Sequence, residues 1–397
     1  MVPRIYFGGD APLQKLLVFI SAFAFAWSAI AAEGPFAPNP DTVDYVAASA
    51  VKWPPGSPRS DRRIATHHTQ WTRIDQEVDN LYRSTSYVKD SVPLSITISR
   101  EPSGEYRSLQ ILRGLERHRS RGWSYDAFKT SERDTFLGES CEVWNVARHV
   151  SRDGVKNAER ELKQLSCVTP DGIELWNRFV SNNYTGTSVE ATRVERRPID
   201  ANDVRPPADL LAWAAWSPPE TEAASSDAPG DAVVTMEAAE PVAKPMQTKR
   251  RIVRRHFPWS ATENIADDGR RSLTIKNART GLLLTFEQNP DGQFARLIIS
   301  KPSLGAAAQR KKSLEPHQNE TLLGETCTWF DMRLGLMDAS EAQCQTADGI
   351  VLKKRQSGRG MAPQVMVAVR LERAPVALAD VLPPPSILVA GGWGITD

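Results

Sequence analysis

Apolar and polar positions along this chain alternate in short runs, with turn-forming residues between them. The clearest runs lie at 272–277 (SLTIKN), 282–288 (LLLTFEQ) and 293–300 (QFARLIIS). A period of two sends successive side chains to opposite faces, which predicts β-strands. Arg279-Thr280-Gly281 and Asn289-Pro290-Asp291-Gly292 separate these runs. In such turns Pro presets one φ and Gly accepts a positive one. Earlier in the chain, Glu101-Pro102-Ser103-Gly104 joins 94–100 to 106–112 in the same way, so both places predict a hairpin. A later hairpin in each half turns on Asp171-Gly172 or Asp348-Gly349, the dipeptide favoured where both turn residues take positive φ. The last strands, 189–196 and 365–373, stop at Pro198 and Pro375. Arg193 and Glu195 share one face there and are expected to pair with neighbouring strands. Helical signals are confined to 115–128, 306–314 and 208–216. The expected fold is mainly β with few helices: antiparallel sheets of about six strands under at most one covering helix.

The same pattern occurs twice. His68-Thr69-Gln70-Trp71 recurs as His256-Phe257-Pro258-Trp259, an offset of 188 that holds through Leu94/Leu282, Pro102/Pro290, Gly104/Gly292 and Ile111/Ile299. Thr135-Phe-Leu-Gly-Glu-Ser-Cys141 answers Thr321-Leu-Leu-Gly-Glu-Thr-Cys327, and Cys167-Val-Thr-Pro-Asp-Gly-Ile-Glu-Leu175 answers Cys344-Gln-Thr-Ala-Asp-Gly-Ile-Val-Leu352. From Cys167 to Trp216, 18 of 50 aligned positions are identical to the run ending at Trp393. That is far above chance and reads as a duplication. The expected organisation is a signal peptide at 1–31, a Pro-rich leader at 32–60, a first β-rich repeat at 61–216, a disordered Ala/Pro/Glu linker at 217–248, and a second β-rich repeat at 249–397. The linker is too polar and proline-broken to bury a core.

Compartment follows from the first residues. Arg4 and Lys15 precede the apolar run 16–30, which ends in Ala29-Ile30-Ala31: a charged region, an apolar core and a small-residue cleavage pattern. The run is short against the roughly 20 residues of a comfortable span, with an uncleaved anchor as the alternative. The first cysteine is Cys141, so an N-terminal lipid anchor is not expected. These features place the protein in the periplasm or outside the cell. A formal net charge of +1 supplies no global field towards nucleic acid, and export argues against it as a partner.

The four cysteines suit an oxidising compartment. Because both repeats keep both cysteines at matching positions, Cys141–Cys167 and Cys327–Cys344 are the expected bridges; the other connectivities would cross the linker. No catalytic motif or cofactor loop stands in a usable context, so no enzyme activity, cofactor or metal is expected. His67, His68 and His256 are the suggestive histidines, yet one His per repeat makes no metal site. Trp71/Trp259 and Trp216/Trp393, at the ends of each repeat, read as core plugs. Arg113, Arg117, Arg119, Arg121, Arg310, Lys311 and Lys312 form basic crossovers. Lys249, Arg250, Arg251, Arg254 and Arg255 lead into the second repeat, where such runs could meet anionic headgroups or cell-wall polymer.

An exported module built from antiparallel hairpins, carrying Gly-Glu-[Ser/Thr]-Cys and Thr-x-Asp-Gly-Ile, resembles the periplasmic lipoprotein-carrier superfamily of the LolA and LolB carriers and the RseB sensor. That resemblance implies a half-open barrel in each repeat whose concave face holds acyl chains. The expected function is a non-enzymatic envelope protein binding a hydrophobic or acyl ligand, a lipoprotein acyl chain among them, or an envelope protein. The alternative is a structural or regulatory interaction module with no cavity. Leu94, Ile96 and Ile98, and likewise Leu282, Leu284 and Phe286, line one strand face and are the candidate apolar contacts. Arg117, Arg121, Arg310 and Lys311 are the candidate rim.

Overall fold

A computed structural model of the chain describes residues 43–53, 61–79, 82–89, 94–113, 123–124, 128–152, 159–181, 184–217, 229–239, 248–302, 316–334, 339–358 and 361–395. The expected signal peptide, the candidate rim residues Arg117, Arg121, Arg310 and Lys311, and the run 306–314 lie outside these residues. Among the described residues no helix is long and apolar enough to cross a membrane.

In the first repeat the strands are β1 (Tyr45–Lys52), β2 (Asp61–His68), β3 (Trp71–Val78), β4 (Tyr82–Lys89), β5 (Leu94–Arg100), β6 (Tyr106–Arg113), β7 (Trp123–Ser124), β8 (Phe128–Phe136), β9 (Glu139–Arg152), β10 (Glu159–Val168), β11 (Glu174–Ser181) and β12 (Tyr184–Arg196). In the second they are β13 (Ala232–Ala238), β14 (Thr248–His256), β15 (Trp259–Ala266), β16 (Arg271–Asn277), β17 (Leu283–Gln288), β18 (Phe294–Ser300), β19 (Pro316–Leu322), β20 (Glu325–Leu334), β21 (Ala339–Gln345), β22 (Val351–Gly358) and β23 (Met361–Glu372). Each repeat thus holds nearly twice the strands expected. Strand β1 falls in the stretch expected as a loose leader, and β13 in the stretch expected as a disordered linker. In β13 the small or flexible Ala232, Val234 and Met236 are buried. Their alternation is masked by the surrounding Ala, Glu and Pro, which composition alone reads as linker. Strands β2 and β14 were hidden in a different way, by basic residues alternating with apolar ones.

The described chain divides into two compact units, one holding β1, β2 and β7–β12, the other β3–β6 and β13–β23 with the segments after β12 and β23. This division differs from the expected 61–216 and 249–397, because the first repeat contributes to both units.

The first unit is an antiparallel sheet ordered β8-β9-β10-β11-β12-β1-β2, with β7 against β9. Its core gathers Tyr45, Ala47, Cys141, Val143, Cys167, Ile173, Leu175 and Trp176. Cys141–Cys167 bridges neighbouring β9 and β10 inside that core.

In the second unit the sheet runs β19-β20-β21-β22-β23-β13-β14-β15-β16-β17-β18-β6-β5-β4-β3, every pair antiparallel. The β18–β6 junction is self-complementary: Leu297 faces Ile111, Ile298 faces Gln110 and Ile299 faces Leu109. These are repeat-equivalent residues meeting about a local two-fold, the arrangement of an isologous interface. Pairing also removes two exposed strand edges. A second cluster, Ala232, Val234, Met236, Cys327, Trp329, Cys344, Ile350, Leu352, Met366 and Ala368, encloses the Cys327–Cys344 bridge.

Two turn assignments differ from expectation. At Thr169–Gly172 and Thr346–Gly349 only the glycine has positive φ (87° and 80°), and its N–H donates to the Thr carbonyl. Pro170 or Ala347 therefore sits in an ordinary turn closed by glycine, a three-residue loop followed by a one-residue bulge. The turns with two positive φ values are Leu137-Gly138 and Leu323-Gly324, the leucines at 54° and 53°. Both leucines are about half exposed, at 51% and 49%, in a conformation that costs a non-glycine residue roughly 1–2 kcal/mol. Among the described residues the α-helices are single turns, Ala201–Val204, Trp213–Trp216 and Ala390–Trp393, with 3-10 turns at Leu378–Asp380 and Pro385–Leu388; Trp213–Trp216 falls in the expected 208–216. The Asp200 side chain caps the first by accepting the Asn202 N–H at 2.8 Å.

Candidate functional site

The six candidate apolar residues form packed core. Leu94, Ile96, Ile98, Leu282, Leu284 and Phe286 are 0–7% exposed, and the segments that follow β12 and β23 lie over their sheet. Trp216 stacks on Tyr106 at 5.1 Å and donates its indole N–H to the Leu210 carbonyl at 2.9 Å. The equivalent Trp393 donates to the Ile387 carbonyl at 2.9 Å and packs against Phe286 and Phe294. Arg113 reaches the Gly392 carbonyl at 3.0 Å, and Trp213 packs near Trp259 at 6.0 Å. The cover over this face is the chain itself, and its short turns carry too weak a helical pattern to read as a lid in the sequence. Trp71 and Trp259, at 4% and 3% exposure, are core residues as expected.

A cavity of about 320 Å³ opens beside the second disulfide cluster, and another of about 370 Å³ lies between Phe286, Phe294 and the segment after β23. Register explains the walls of the first. Strand β14 is a basic run, KRRIVRRH, whose period of two splits it: Arg251, Val253 and Arg255 face the cavity, lying opposite Met236, Val234 and Ala232 of β13. Ser260 and Thr262 of β15, Gln343 of β21, and Gly349, Ile350, Val351 and Lys354 around β22 complete it. The sheet therefore curls until β14–β15 and the β21–β22 hairpin line one space. Only about 300 Å³ is needed for a small-molecule site.

Three cations touch this cavity, and two are neutralised by the protein. Arg255 donates to the Asp348 carboxylate at 2.6 Å, to its carbonyl at 2.7 Å, and to the Gly230 carbonyl at 2.9 Å. Asp348 also accepts from Arg373 at 2.9 Å and Thr346 at 2.6 Å. The Arg373 bond leads these in holding its carboxyl well below the usual range, against the opposing effect of burial. Arg373 in turn pairs with Glu325 at 2.9 Å. The first repeat builds the equivalent network from Arg196, Asp171 and Glu139. Lys354 pairs with Glu341 at 2.7 Å, both side chains largely buried. Arg251 differs. Its Nε donates to Asn264 Oδ1 at 2.7 Å, and among the described residues no carboxylate forms an ion pair with it. Burial disfavours its charged form, offset in part by the field of Glu341.

At the equivalent positions the first repeat is built differently. Tyr45 lies opposite His67 in the β1–β2 register, and the two rings stack at 5.2 Å where the second repeat has Ala232 opposite Arg255. Arg63, the counterpart of Arg251, pairs with Glu174 at 3.7 Å; the counterpart of Glu174 is Val351. That exchange was visible in Asp-Gly-Ile-Glu-Leu against Asp-Gly-Ile-Val-Leu, but it acquires meaning only when β14 is known to be a strand facing it.

The histidines hold structure. His68 Nδ1 bonds Asp44 Oδ2 at 2.9 Å and His256 Nδ1 bonds Asp231 Oδ2 at 3.0 Å. The same oxygens accept the backbone N–H of Ile199 at 2.9 Å and Val376 at 2.7 Å. Each pair ties the first strand of a repeat to the chain leaving its last. Among the described residues no cluster of three or more metal-ligating side chains occurs. Arg193 pairs with Glu195 of its own strand at 2.5 Å, rather than with a neighbouring strand, since residues two apart share a face.

No protein-family model matches the chain, and no curated protein matches it. Among solved structures it is similar to the crystal structure of MucB, at 12% identity over 72% of this chain and 96% of that one, with a TM-score of 0.26. It is also similar to a Caulobacter crescentus beta sliding clamp, at 12% identity over 65% and 91%, with a TM-score of 0.10. At such TM-scores neither likeness bears on what the chain does.

Proposed function

We propose that this chain is a non-enzymatic, exported envelope protein, a tandem duplication whose second repeat binds a hydrophobic or acyl ligand. The observation that carries this reading is the cavity of about 320 Å³ whose walls include Ala232, Val234, Met236, Val253 and Ile350. Apolar walls with few polar groups are the usual make-up of a small-molecule site. Export is supported by the N-terminal charged and apolar pattern and by two buried disulfides, which persist in oxidising compartments. The test is native mass spectrometry of protein purified from the periplasm. A releasable adduct with the mass of a lipid or acyl species is the expected result; bare protein that also takes up no hydrophobic dye would overturn the reading.

A second reading is favoured by Leu137 and Leu323. A half-exposed leucine held at positive φ on the same hairpin tip of both repeats suits a contact with an envelope protein. Replacing both with Asn, which relaxes the turn, would then weaken capture of that protein while raising stability.

A further inference from the structure

The two repeats place an arginine at equivalent positions, near the end where the two strands of the hairpin connect, and answer it differently. Arg63 has Glu174 as its counter-ion at 3.7 Å. Arg251 has Val351 in that place, and Val351 lines the cavity. The other carboxylates nearby are already committed. Glu341 is held by Lys354 at 2.7 Å and accepts from Gln343; Asp348 is held by Arg255 and Arg373. Arg251 itself is oriented by Asn264, which donates onward to Ser272 at 3.1 Å, so Nε is used and the terminal nitrogens are left for another acceptor.

A half-buried guanidinium without a counter-ion keeps only part of its hydration, whereas one that meets an anion makes strong, bidentate bonds. The site thus carries one uncompensated positive charge beside apolar walls. We infer that the cavity takes an alkyl-chain anion, its carboxylate or phosphate bound by Arg251 in the place that Glu174 fills in the first repeat. This rests on the ligand-binding reading above. The alkyl part would lie against Val234, Met236, Val253 and Ile350, and the head would sit at Arg251. Lys354 contributes field but not a free donor, because Glu341 holds it.

Displacement of a bound hydrophobic dye tests this on the full-length exported chain, with dodecanoate, dodecyl phosphate, dodecanol and dodecyltrimethylammonium below their aggregation thresholds. Either or both anions should bind at least about tenfold more tightly than the alcohol, and the cation more weakly still. Preference between the anions distinguishes a fatty carboxylate from a phospholipid-type head. Arg251→Gln should bring the anions to the level of the alcohol, with an unchanged melting curve. Val351→Glu, which rebuilds the internal pair, should do the same, with an unchanged melting curve as the folding control. Equal binding of alcohol and anions by the wild-type chain would overturn the anion inference and leave the ligand reading standing. If no amphiphile displaces the dye or binds, the ligand reading itself falls.

Discussion

Compare the β1–β2 hairpin of the first repeat with the β13–β14 hairpin of the second. Both start from an Asp that accepts from a His and from a backbone N–H, and both lean on a buried disulfide with Ile and Leu after an Asp-Gly turn. Within this shared frame the first repeat places two stacked rings and a closed Arg–Glu pair. The second places Ala, a tethered Arg255 and an Arg251 without an acid. A curled sheet needs something in its concavity, since unfilled space forfeits contacts on its lining. At this point the first repeat places Tyr45 stacked on His67; the second places Ala232 and Arg255 on the wall of a cavity of about 320 Å³. Under the proposed ligand reading, duplication would let one copy keep its packing while its twin gives up packing for a site.

The largest expected effect separates core from site. Leu284, fully buried on β17, should tolerate no charge: Leu284→Asp is expected to cost more than about 3 kcal/mol and unfold the domain, seen in thermal denaturation. A variant that stays folded and loses only ligand would return the site to the β17 face and break the comparison.

Next are the bridges. Cys167→Ser and Cys344→Ser should each cost about 3 kcal/mol in urea unfolding. The first bridge closes a separation of 26 and the second one of 17, so chain entropy makes the first the more stabilising by only about 0.4 kcal/mol. A much larger penalty in the second repeat would mean that its cavity makes it disproportionately dependent on the covalent tie.

The smallest effect is in pH. Burial, the dominant influence on His67, pushes its imidazole pKa down, so the folded state binds its proton less readily than the unfolded one. Stability from this group is complete above the unfolded value of about 6.5 and is lost as pH falls from there through the folded value. Protection factors against hydrogen exchange in β1 and β2, corrected for the intrinsic pH dependence of exchange, should therefore fall below about pH 6.5. Strand β14 carries Arg255 instead, and should hold until pH falls into the ordinary carboxylate range, where the unfolded chain takes up a proton that the depressed Asp348 carboxyl refuses. Equal onset in both hairpins would contradict the assignment of His67 as the buried plug.

Much of this was legible in the sequence. Alternation and turn residues place β5, β6 and β16–β18 to within a residue or so, and matched cysteines give both bridges. What escaped has physical causes. Strand β13 sits in a composition that mimics a linker, and only its pairing with β14 and β23 makes it ordered. The face of β5 and β17 reads as a ligand surface because its cover is made of single helical turns and proline-bounded segments with no periodicity. The basic run 249–255 reads as a patch because charge hides alternation; in the sheet, Arg251 and Arg255 point inwards while Lys249 and Arg250 are exposed. The missing acid opposite Arg251 is a difference between repeats, invisible to motif reading, which looks for what recurs.

The most direct measurement fills the cavity by copying the first repeat into the second. Ala232→Tyr introduces the ring that Tyr45 supplies at the equivalent position, and hydrophobic-dye binding is compared with the wild-type chain alongside a melting curve. The expected outcome is saturable uptake by the wild type, lost by at least about tenfold in Ala232→Tyr at equal or higher thermal stability, since the ring enters space already present. A folded Ala232→Tyr protein that takes up dye as the wild type does would contradict a ligand site between β13–β14 and the β21–β22 hairpin.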